Sequence, residues 1–251
     1  MTKIMKNNIQ VCLLVIFIAI AGIKCKPDSN NLRKENGFRV VFEETKNVPK
    51  EFHPDSLAKQ RDSWNKAGTW QDIINSAKLK YSKYFTKHDG VLTIKTNNKT
   101  VQFVDKTLDK NNSGDDEIED NHYLMFIPDI DSHLILRSFY YTIFGFYLIS
   151  NKTGEDEEVW WIPYISPDRN RFAVASKELF PEGDDPRPNG IQIFEIVSDK
   201  YIKKFEQKFD WGPDNVRWLD NNTFIVDKYI ADGVFKEKKA GYVIFKLVDG
   251  K

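Results

Sequence analysis

The sequence predicts a mainly β protein, built as an array of about three to four strand-and-turn units with a short helical segment near its N-terminus. Gly-led alternating segments, Asp-containing turns before most of them, and 14% aromatic residues predict this class. Bulky flat side chains pack well on pleated strands, so this composition suits a β-rich core. The 251 residues suffice for one large domain or two small ones.

Four segments begin with Gly and continue as alternating apolar and polar residues, the pattern of a strand with one buried face. Their first residues lie 45 to 55 positions apart. They are GVLTIKTNNK, GFYLISNKTG, GIQIFEIVSDK and GYVIFKLVDGK, beginning at Gly90, Gly145, Gly190 and Gly241.

A second kind of segment precedes the last three and places an aspartate in a turn between two apolar stretches. The segments are FIPDIDSHLILRS, YISPDRNRFAVAS and RWLDNNTFIVDK, with Asp129, Asp168 and Asp220 at matching positions. An Asp side chain can hydrogen-bond the backbone two residues further on, which favours a turn. A period of 45–55 residues is typical of four-stranded repeated units.

These segments resemble WD40-like and periplasmic TolB-like propeller repeats, in which Ser-Pro-Asp-Gly marks a turn of each blade, with Arg169 in place of the Gly. The resemblance covers residues 90–251 and implies a propeller-like array. Residues 38–44 could complete a ring by pairing with the last unit. An open β-meander and a β-sandwich with unrelated hairpins are the alternatives.

Residues 38–89 are interpreted as a strand followed by a helical segment. Between Ser56 and Phe85, apolar residues recur at spacings of three, four and seven, as on one face of a helix. Gly68 predicts a break, and Thr69 is suited to cap a second helix.

The N-terminus predicts export. Lys3 and Lys6 precede an apolar run of 13 residues, from Val11 to Ile23, which is too short to span a bilayer comfortably. GIKC resembles the lipobox of bacterial lipoproteins, which implies lipidation of Cys25, a signal peptide over 1–24 and a tether over 25–37. Cleavage after an Ala-x-Ala site at residues 19–21 is the alternative, giving a soluble periplasmic or secreted protein.

Charge and cysteine content exclude several classes. Basic and acidic residues both number 37, which argues against a nucleic-acid partner. Removal of Lys3, Lys6 and Lys24 with the signal leaves 34 basic residues against 37 acidic ones. Because Cys12 lies within the signal, the mature chain keeps at most Cys25. It can form neither an internal disulfide nor a Cys-based zinc site.

The acidic segment DKNNSGDDEIED has the spacing of a calcium-binding loop, in which oxygen ligands alternate and a Gly allows a sharp turn. The candidate ligands are Asp109, Asn111, Ser113, Asp115 and Asp120. A solvated acidic loop between hairpins explains the same residues. We therefore expect no cofactor, with calcium as the alternative.

Asp129, Asp168 and Asp220 are also candidate catalytic carboxylates, if their turns converge. Backbone capping explains them more simply. Two further regions are candidate binding surfaces. Trp211 is expected to be exposed, because Gly212-Pro213 signals a loop, and the long segment 177–190 carries charged residues. These residues are Glu182, Asp184, Asp185 and Arg187.

These observations predict a lipid-anchored protein of the bacterial cell envelope that binds a protein or glycan without catalysis. Repeated folds often present loops at one height, which suits a binding platform. The alternatives are an exported hydrolase that uses the turn aspartates and a calcium-stabilised adhesin. No P-loop, dinucleotide-binding or serine-hydrolase motif occurs in the sequence.

Overall fold

A computed structural model describes residues 34–35, 38–106, 118–139, 143–180, 188–234 and 236–249. In this part of the chain, 55% of residues lie in strands and 13% in helices. The prediction of a mainly β protein is therefore confirmed. The predicted signal peptide, Cys25 and residues 26–33 of the tether lie outside the described residues.

The described elements comprise two α-helices, one short 3-10 helix (Pro128–Ile130) and sixteen strands. The helices are α1 (Ala58–Lys66) and α2 (Trp70–Tyr81). The strands are β1 (Lys34–Glu35), β2 (Phe38–Thr45), β3 (Phe85–His88), β4 (Val91–Lys95), β5 (Thr100–Val104), β6 (Glu119–Ile127), β7 (Ser132–Phe139), β8 (Ile143–Ser150), β9 (Asp156–Val159), β10 (Tyr164–Ile165), β11 (Arg171–Ser176), β12 (Gly190–Val197), β13 (Lys200–Lys208), β14 (Gly212–Trp218), β15 (Thr223–Ala231) and β16 (Glu237–Asp249).

The strands form four separate antiparallel sheets, and none of the described sheets closes into a barrel. Sheet I is β3-β4-β5, sheet II is β6-β7-β8-β9, and sheet III is β10-β11-β12-β13. Sheet IV takes three strands from the end of the chain and two from its beginning, in the order β1-β2-β16-β15-β14. Phe42 of β2 lies opposite Phe245 of β16, so the predicted pairing of residues 38–44 with the last unit is confirmed.

Sheets II, III and IV share one register. Gly145 and Gly190 lie in the third strand of sheets II and III, and Gly241 lies in the third of the three strands that sheet IV takes from the end of the chain. Six residues after each Gly, a backbone N–H donates to the carbonyl of the last residue of the turn between the two preceding strands. These bonds are Asn151 to Asp131 (2.9 Å), Ile196 to Asn170 (2.8 Å) and Leu247 to Asn222 (2.7 Å). The residues that repeat in the sequence therefore occupy equivalent positions in these three sheets.

The Gly90 segment occupies a different position. Gly90 precedes β4, the middle strand of the three-stranded sheet I. The turn before Gly90 lies close to the start of β6, because Lys87 donates to the carbonyl of Asn121 there (2.8 Å). The Asp-containing turn of sheet II, by contrast, follows the end of β6. The first Gly-led segment is thus not a copy of the other three.

Three apolar clusters join the sheets in the order IV, III, II, I. Both faces of sheet III are covered, because Phe172 and Val174 pack toward sheet II while Ala173 and Ala175 pack toward sheet IV. This explains why the strand RFAVAS is almost continuously buried. Burial of each such large apolar side chain contributes roughly 1.5–3 kcal/mol.

The segment before sheet I contacts sheets IV, III and II in turn. The backbone N–H of His53 donates to Trp218 at the end of β14 (2.8 Å). Arg61 of α1 donates to the carbonyl of Pro163 (2.9 Å) and lies over the Tyr164 ring, and α2 packs on β6. The helices therefore tie sheets II and III together.

Helix α2 begins as the sequence predicts. The Thr69 side chain accepts a hydrogen bond from the Asp72 backbone (3.2 Å), and the Asp72 carboxylate accepts one from the Thr69 backbone (2.9 Å). This reciprocal cap contributes about 1 kcal/mol. Among the described residues, no helix is both long and apolar enough to cross a membrane.

Candidate functional site

The turn of the Ser-Pro-Asp motif is held by its own side chains. The Asp168 carboxylate accepts hydrogen bonds from the Ser166 hydroxyl (2.7 Å) and the Asn170 backbone (3.2 Å). The Ser166 hydroxyl in turn accepts a bond from the Arg171 backbone (3.0 Å). Asp168 therefore has the capping role that the sequence suggested.

Of the other two repeated aspartates, Asp220 caps its own turn, because it accepts a hydrogen bond from the Asn222 backbone (2.7 Å), two residues further on. Asp129 instead forms an ion pair with Arg169 of the neighbouring sheet (2.9 Å). Arg169 has φ +61°, the left-handed conformation that glycine adopts in the motif, and its side chain uses this position to reach Asp129.

Of the candidate calcium ligands in the acidic loop, only Asp120 lies within the described residues. Asp109, Asn111, Ser113 and Asp115 lie outside the described residues. Asp120 pairs with Lys87 and with His122 Nε2 (2.9 Å). Burial raises the pKa of Asp120, but the hydrogen bonds from His122 and Lys87 outweigh it and hold the pKa well below its usual range.

A cation at Asp120 would have to displace Lys87 or His122. In the described ranges, no group of three or more His, Cys, Asp or Glu side chains is arranged to hold a metal ion. Calcium binding by the loop therefore stays a prediction from spacing alone.

The expected exposure of Trp211 is wrong. The side chain is 7% exposed and stacks on Phe209, with ring centroids 4.6 Å apart. The Gly212-Pro213 pair begins β14 instead of a loop, because Gly212 pairs with Tyr229 of β15. The other candidate residues of this kind (Glu182, Asp184, Asp185 and Arg187) lie outside the described residues.

A groove lies at the opposite end of sheets III and IV from the repeated turns. It has a volume of about 380 Å³ and lies between α1, the end of β11 and the start of β14. Its lining includes Asn65, Trp161, Tyr164, Ser176, Lys177 and Asp214. We call this cavity the charged lobe.

A second cavity of about 230 Å³ adjoins the charged lobe and shares Asn65 and Trp161 with it. Its walls include Trp64, Thr69 and Trp70, so we call it the aromatic lobe. The Trp161 ring meets Phe146 and Trp70 edge-on at 4.9 and 6.0 Å. These contacts fix the half-buried Trp161 ring between the two lobes.

Two polar side chains of the charged lobe have no partner. Asn65 is exposed at the end of α1, and Ser176 is 6% exposed at the end of β11. Neither side chain makes a hydrogen bond to any described residue. Because both side chains line the cavity, each is available to hydrogen-bond a ligand there.

Lys177 is held at the edge of the charged lobe. Its Nζ pairs with Glu237 (2.8 Å) and Asp214 (3.1 Å), and lies 4.3 Å from the Tyr229 ring centroid. Burial lowers the pKa of Lys177, but the two carboxylates more than offset it and raise the pKa. The charge of Lys177 is therefore fixed and already balanced within the protein.

A buried chain of polar side chains lies within sheet II, at the end that carries the repeated turns. His133 is fully buried, with Nδ1 2.9 Å from the Tyr123 hydroxyl and Nε2 3.1 Å from Asn151 Oδ1. Asn151 Nδ2 donates to Asp131 (2.8 Å). Burial lowers the pKa of His133, against the opposing effects of Asn151 and Asp131. These hydrogen bonds tie Asp131, in the turn between β6 and β7, to the residue that follows β8.

The sequence drew attention to part of the groove only. Lys177 begins the long segment 177–190, which the sequence marks as a candidate binding surface. Asn65 and Ser176 carry no local signal, because the fold alone brings them together. In comparisons with known proteins, no family model, no curated protein and no solved structure matches this chain.

Proposed function

We propose that this protein is an exported, lipid-anchored binding protein that takes a glycan in the charged and aromatic lobes without catalysing a reaction. One observation carries the proposal: the half-buried Trp161 ring lies between two cavities that also share the unpartnered Asn65 amide. Sugar rings combine an apolar face with hydroxyl groups. An aromatic wall beside free hydrogen-bonding groups suits both features.

A concave groove with both aromatic and polar walls suits a glycan better than the flat surface of a protein partner. The exposed large apolar side chains of the described residues are distributed over several elements, including Leu79 on α2, Val104 on β5 and Val248 on β16. Protein interfaces usually require a contiguous buried apolar centre. The groove supplies instead a small number of polar groups around an aromatic wall.

The position of the N-terminal strand supports an anchored orientation. Phe38 pairs with Asp249, beyond the Asn222 turn of sheet IV. The first residues of sheet IV, Lys34 and Glu35, pair with Arg39 and Phe38 and so lie near the turn end, whereas the groove lies at the opposite end. The nine residues from Cys25 to residue 33 reach at most about 30 Å. We propose that this segment holds the turn end toward the membrane and presents the groove outward.

We further propose that the four sheets form an open propeller-like array. The common register of sheets II, III and IV and the face-to-face stacking of all four sheets support this arrangement. The N-terminal β2 completing the last sheet supports it as well. In such an array, loops at one end form a shared surface, as the groove does.

The test is a glycan array probed with the full-length protein in detergent. We expect binding to a subset of glycans, and a loss of about tenfold or more in affinity for Trp161→Ala. The matched control is Trp160→Ala, since Trp160 is the adjacent, equally half-buried tryptophan outside both lobes.

Thermal unfolding of each variant separates binding from folding. Because Trp161 also packs on Phe146, the exposed Asn65→Ala variant provides a second test that leaves the core intact. Absence of binding to every glycan, or equal binding by wild type, Trp161→Ala and Asn65→Ala, would contradict the proposed function.

A further inference from the structure

Lysines dominate the charged residues of α2 and sheet I. Residues 73–104 contain six lysines and one acidic residue, Asp89. Asp89 lies in the turn between β3 and β4, near Lys87, which is already paired with Asp105 and Asp120. The other five lysines are exposed, and none of them forms an ion pair with a described residue. They are Lys78, Lys80, Lys83, Lys95 and Lys99.

Leu79 projects into solvent between two of these lysines. Its side chain is 86% exposed, the highest value among the large apolar side chains of the described residues. Successive residues of a helix are about 100° apart, so Leu79 lies opposite the buried Ala77, with Lys78 and Lys80 on either side. Asp72, the one carboxylate of α2, belongs to the first turn at the other end of the helix. The last turn of α2 therefore combines an apolar tip with positive charge.

The last turn of α2 leads to the turn end of the sheets. The Tyr84 ring stacks on Phe126 (4.6 Å), one residue before the end of β6, after which the first repeated turn follows. The backbone N–H of Lys95 donates to the Tyr84 carbonyl (3.1 Å), and the turn that contains Lys99 bonds to the Asn151 carbonyl (2.7 Å). The first residues of sheet IV lie near this same end. The exposed lysines therefore lie on the side toward which the proposed anchor draws the protein.

We propose that these residues form a second contact with the membrane and bind anionic phospholipid headgroups. The contact, which we call the basic patch, comprises Lys78, Leu79, Lys80, Lys83, Lys95 and Lys99. The lysines supply the charge that attracts an anionic surface, and Leu79 enters the boundary between headgroups and acyl chains. This inference goes beyond ligand binding in the groove and shares only the anchored orientation with it.

The leucine favours a bilayer over a soluble polyanion, because a polyanion offers no apolar interior. The ring of Tyr84 lies beside the Lys83 ammonium group, 4.7 Å from ring centroid to Nζ. A half-buried tyrosine next to a lysine suits the same boundary, where one end of the ring is apolar and the other is hydrated.

The experiment measures binding of the full-length protein to vesicles of phosphatidylcholine alone and to vesicles with about 30% phosphatidylglycerol. We expect affinity for the anionic vesicles to be about tenfold or more higher, with a difference that shrinks at high salt. Lys78→Gln/Lys80→Gln/Lys83→Gln should lose most of this preference. Because the N-terminal segment is present in every variant, the change between variants isolates the basic patch.

The matched control is Lys66→Gln/Lys236→Gln/Lys238→Gln, which removes the same charge from three exposed lysines. They adjoin Asn65 of the groove and Glu237, the partner of Lys177, so this variant should keep the wild-type preference. Leu79→Gln should weaken binding to anionic vesicles about threefold or more and leave binding of soluble polyphosphate unchanged. All of these substitutions lie on the surface, and thermal unfolding checks that each variant folds.

Equal affinity of the wild type for both kinds of vesicle would overturn the inference, and so would an equal loss of preference in the control. Polyphosphate that binds as tightly as anionic vesicles, with Leu79→Gln unchanged on both, would assign the basic patch to a soluble polyanion instead. These outcomes are distinguishable from failure of the proposed function. Glycan binding depends on Trp161 and Asn65, and none of the variants alters either residue.

Discussion

The two ends of the sheets use their polar residues differently. At the turn end, Asp168 and Asp220 cap their own backbones, and Asn151 holds both His133 and Asp131. At the groove end, Asn65 and Ser176 have no hydrogen-bonding partner among the described residues. The repeated polar residues of this chain therefore maintain the fold, and the residues that are not repeated are available to a ligand.

The connections show the same difference. At the turn end, three turns accept equivalent bonds from the residue six positions after the repeated Gly. At the groove end, sheets II and III are joined by four residues, 160–163, and β11 and β12 by thirteen, 177–189. Loops tolerate such variation because few contacts constrain them, and binding residues are often found there.

The largest effect is expected for Asn151→Ala. This substitution leaves His133 Nε2 without its partner inside a buried region and removes the side-chain bond to Asp131. The expected loss is about 1–3 kcal/mol of unfolding free energy. Denaturant unfolding measures it, and a loss below about 0.5 kcal/mol would show that the chain of polar residues contributes little.

The next effect is a pH dependence from His133. Because its folded-state pKa is lowered from 6.5, the neutral ring stabilises the protein above that value, and stability is lost as pH falls below it. We expect His133→Gln to flatten the stability curve between pH 7 and 5. The exposed His88→Gln serves as the control and should keep the wild-type slope. An unchanged slope in His133→Gln would remove His133 from this account.

A smaller effect is expected at the turns themselves. Asp168→Ala and Asp220→Ala each remove a cap of the turn backbone, which costs about 1 kcal/mol. Asp129→Ala removes a pair with the largely exposed Arg169 and should cost less. If Asp129→Ala proved the most destabilising of the three by thermal unfolding, inter-sheet pairing would outweigh capping.

The smallest effect is expected at the groove. Asn65→Ala should change unfolding free energy by no more than about 0.5 kcal/mol, because the exposed amide has no partner. Chemical denaturation of Asn65→Ala and Asp168→Ala under the same conditions compares the two ends of the sheets. A loss at Asn65 equal to that at Asp168 would mean that the two ends do not differ.

The sequence predicted features that depend on neighbouring residues. The Asp turns, the Thr69 cap and the strand-forming Gly segments are each visible within about ten positions. Pairing of residues 38–44 with the last unit was one of the arrangements that the sequence left open, because these residues alternate as a strand does. The Gly90 segment was wrongly grouped with the other three Gly-led segments. Alternation of apolar and polar residues identifies a strand but not the position of that strand within a sheet.

The groove could not be predicted in the same way. Asn65, Trp161, Ser176 and Asp214 come from four different parts of the chain, and stacking of the sheets brings them together. The Trp211 prediction failed for a related reason. Gly-Pro signals a turn locally, but here cross-strand pairing with β15 fixes it as the start of a buried strand.

Whether the groove binds a ligand is tested by an NMR titration that observes the indole N–H groups of the six tryptophans, with the best array glycan as ligand. We expect the signals of Trp161 and Trp70 and the side-chain amide of Asn65 to shift together. The signals of the buried Trp211 and Trp218 and of the side-chain amides of Asn170 and Asn222 should not shift. Shifts centred on the Asn170 and Asn222 turns, with Trp161 unchanged, would overturn binding in the groove and assign it to the turn end.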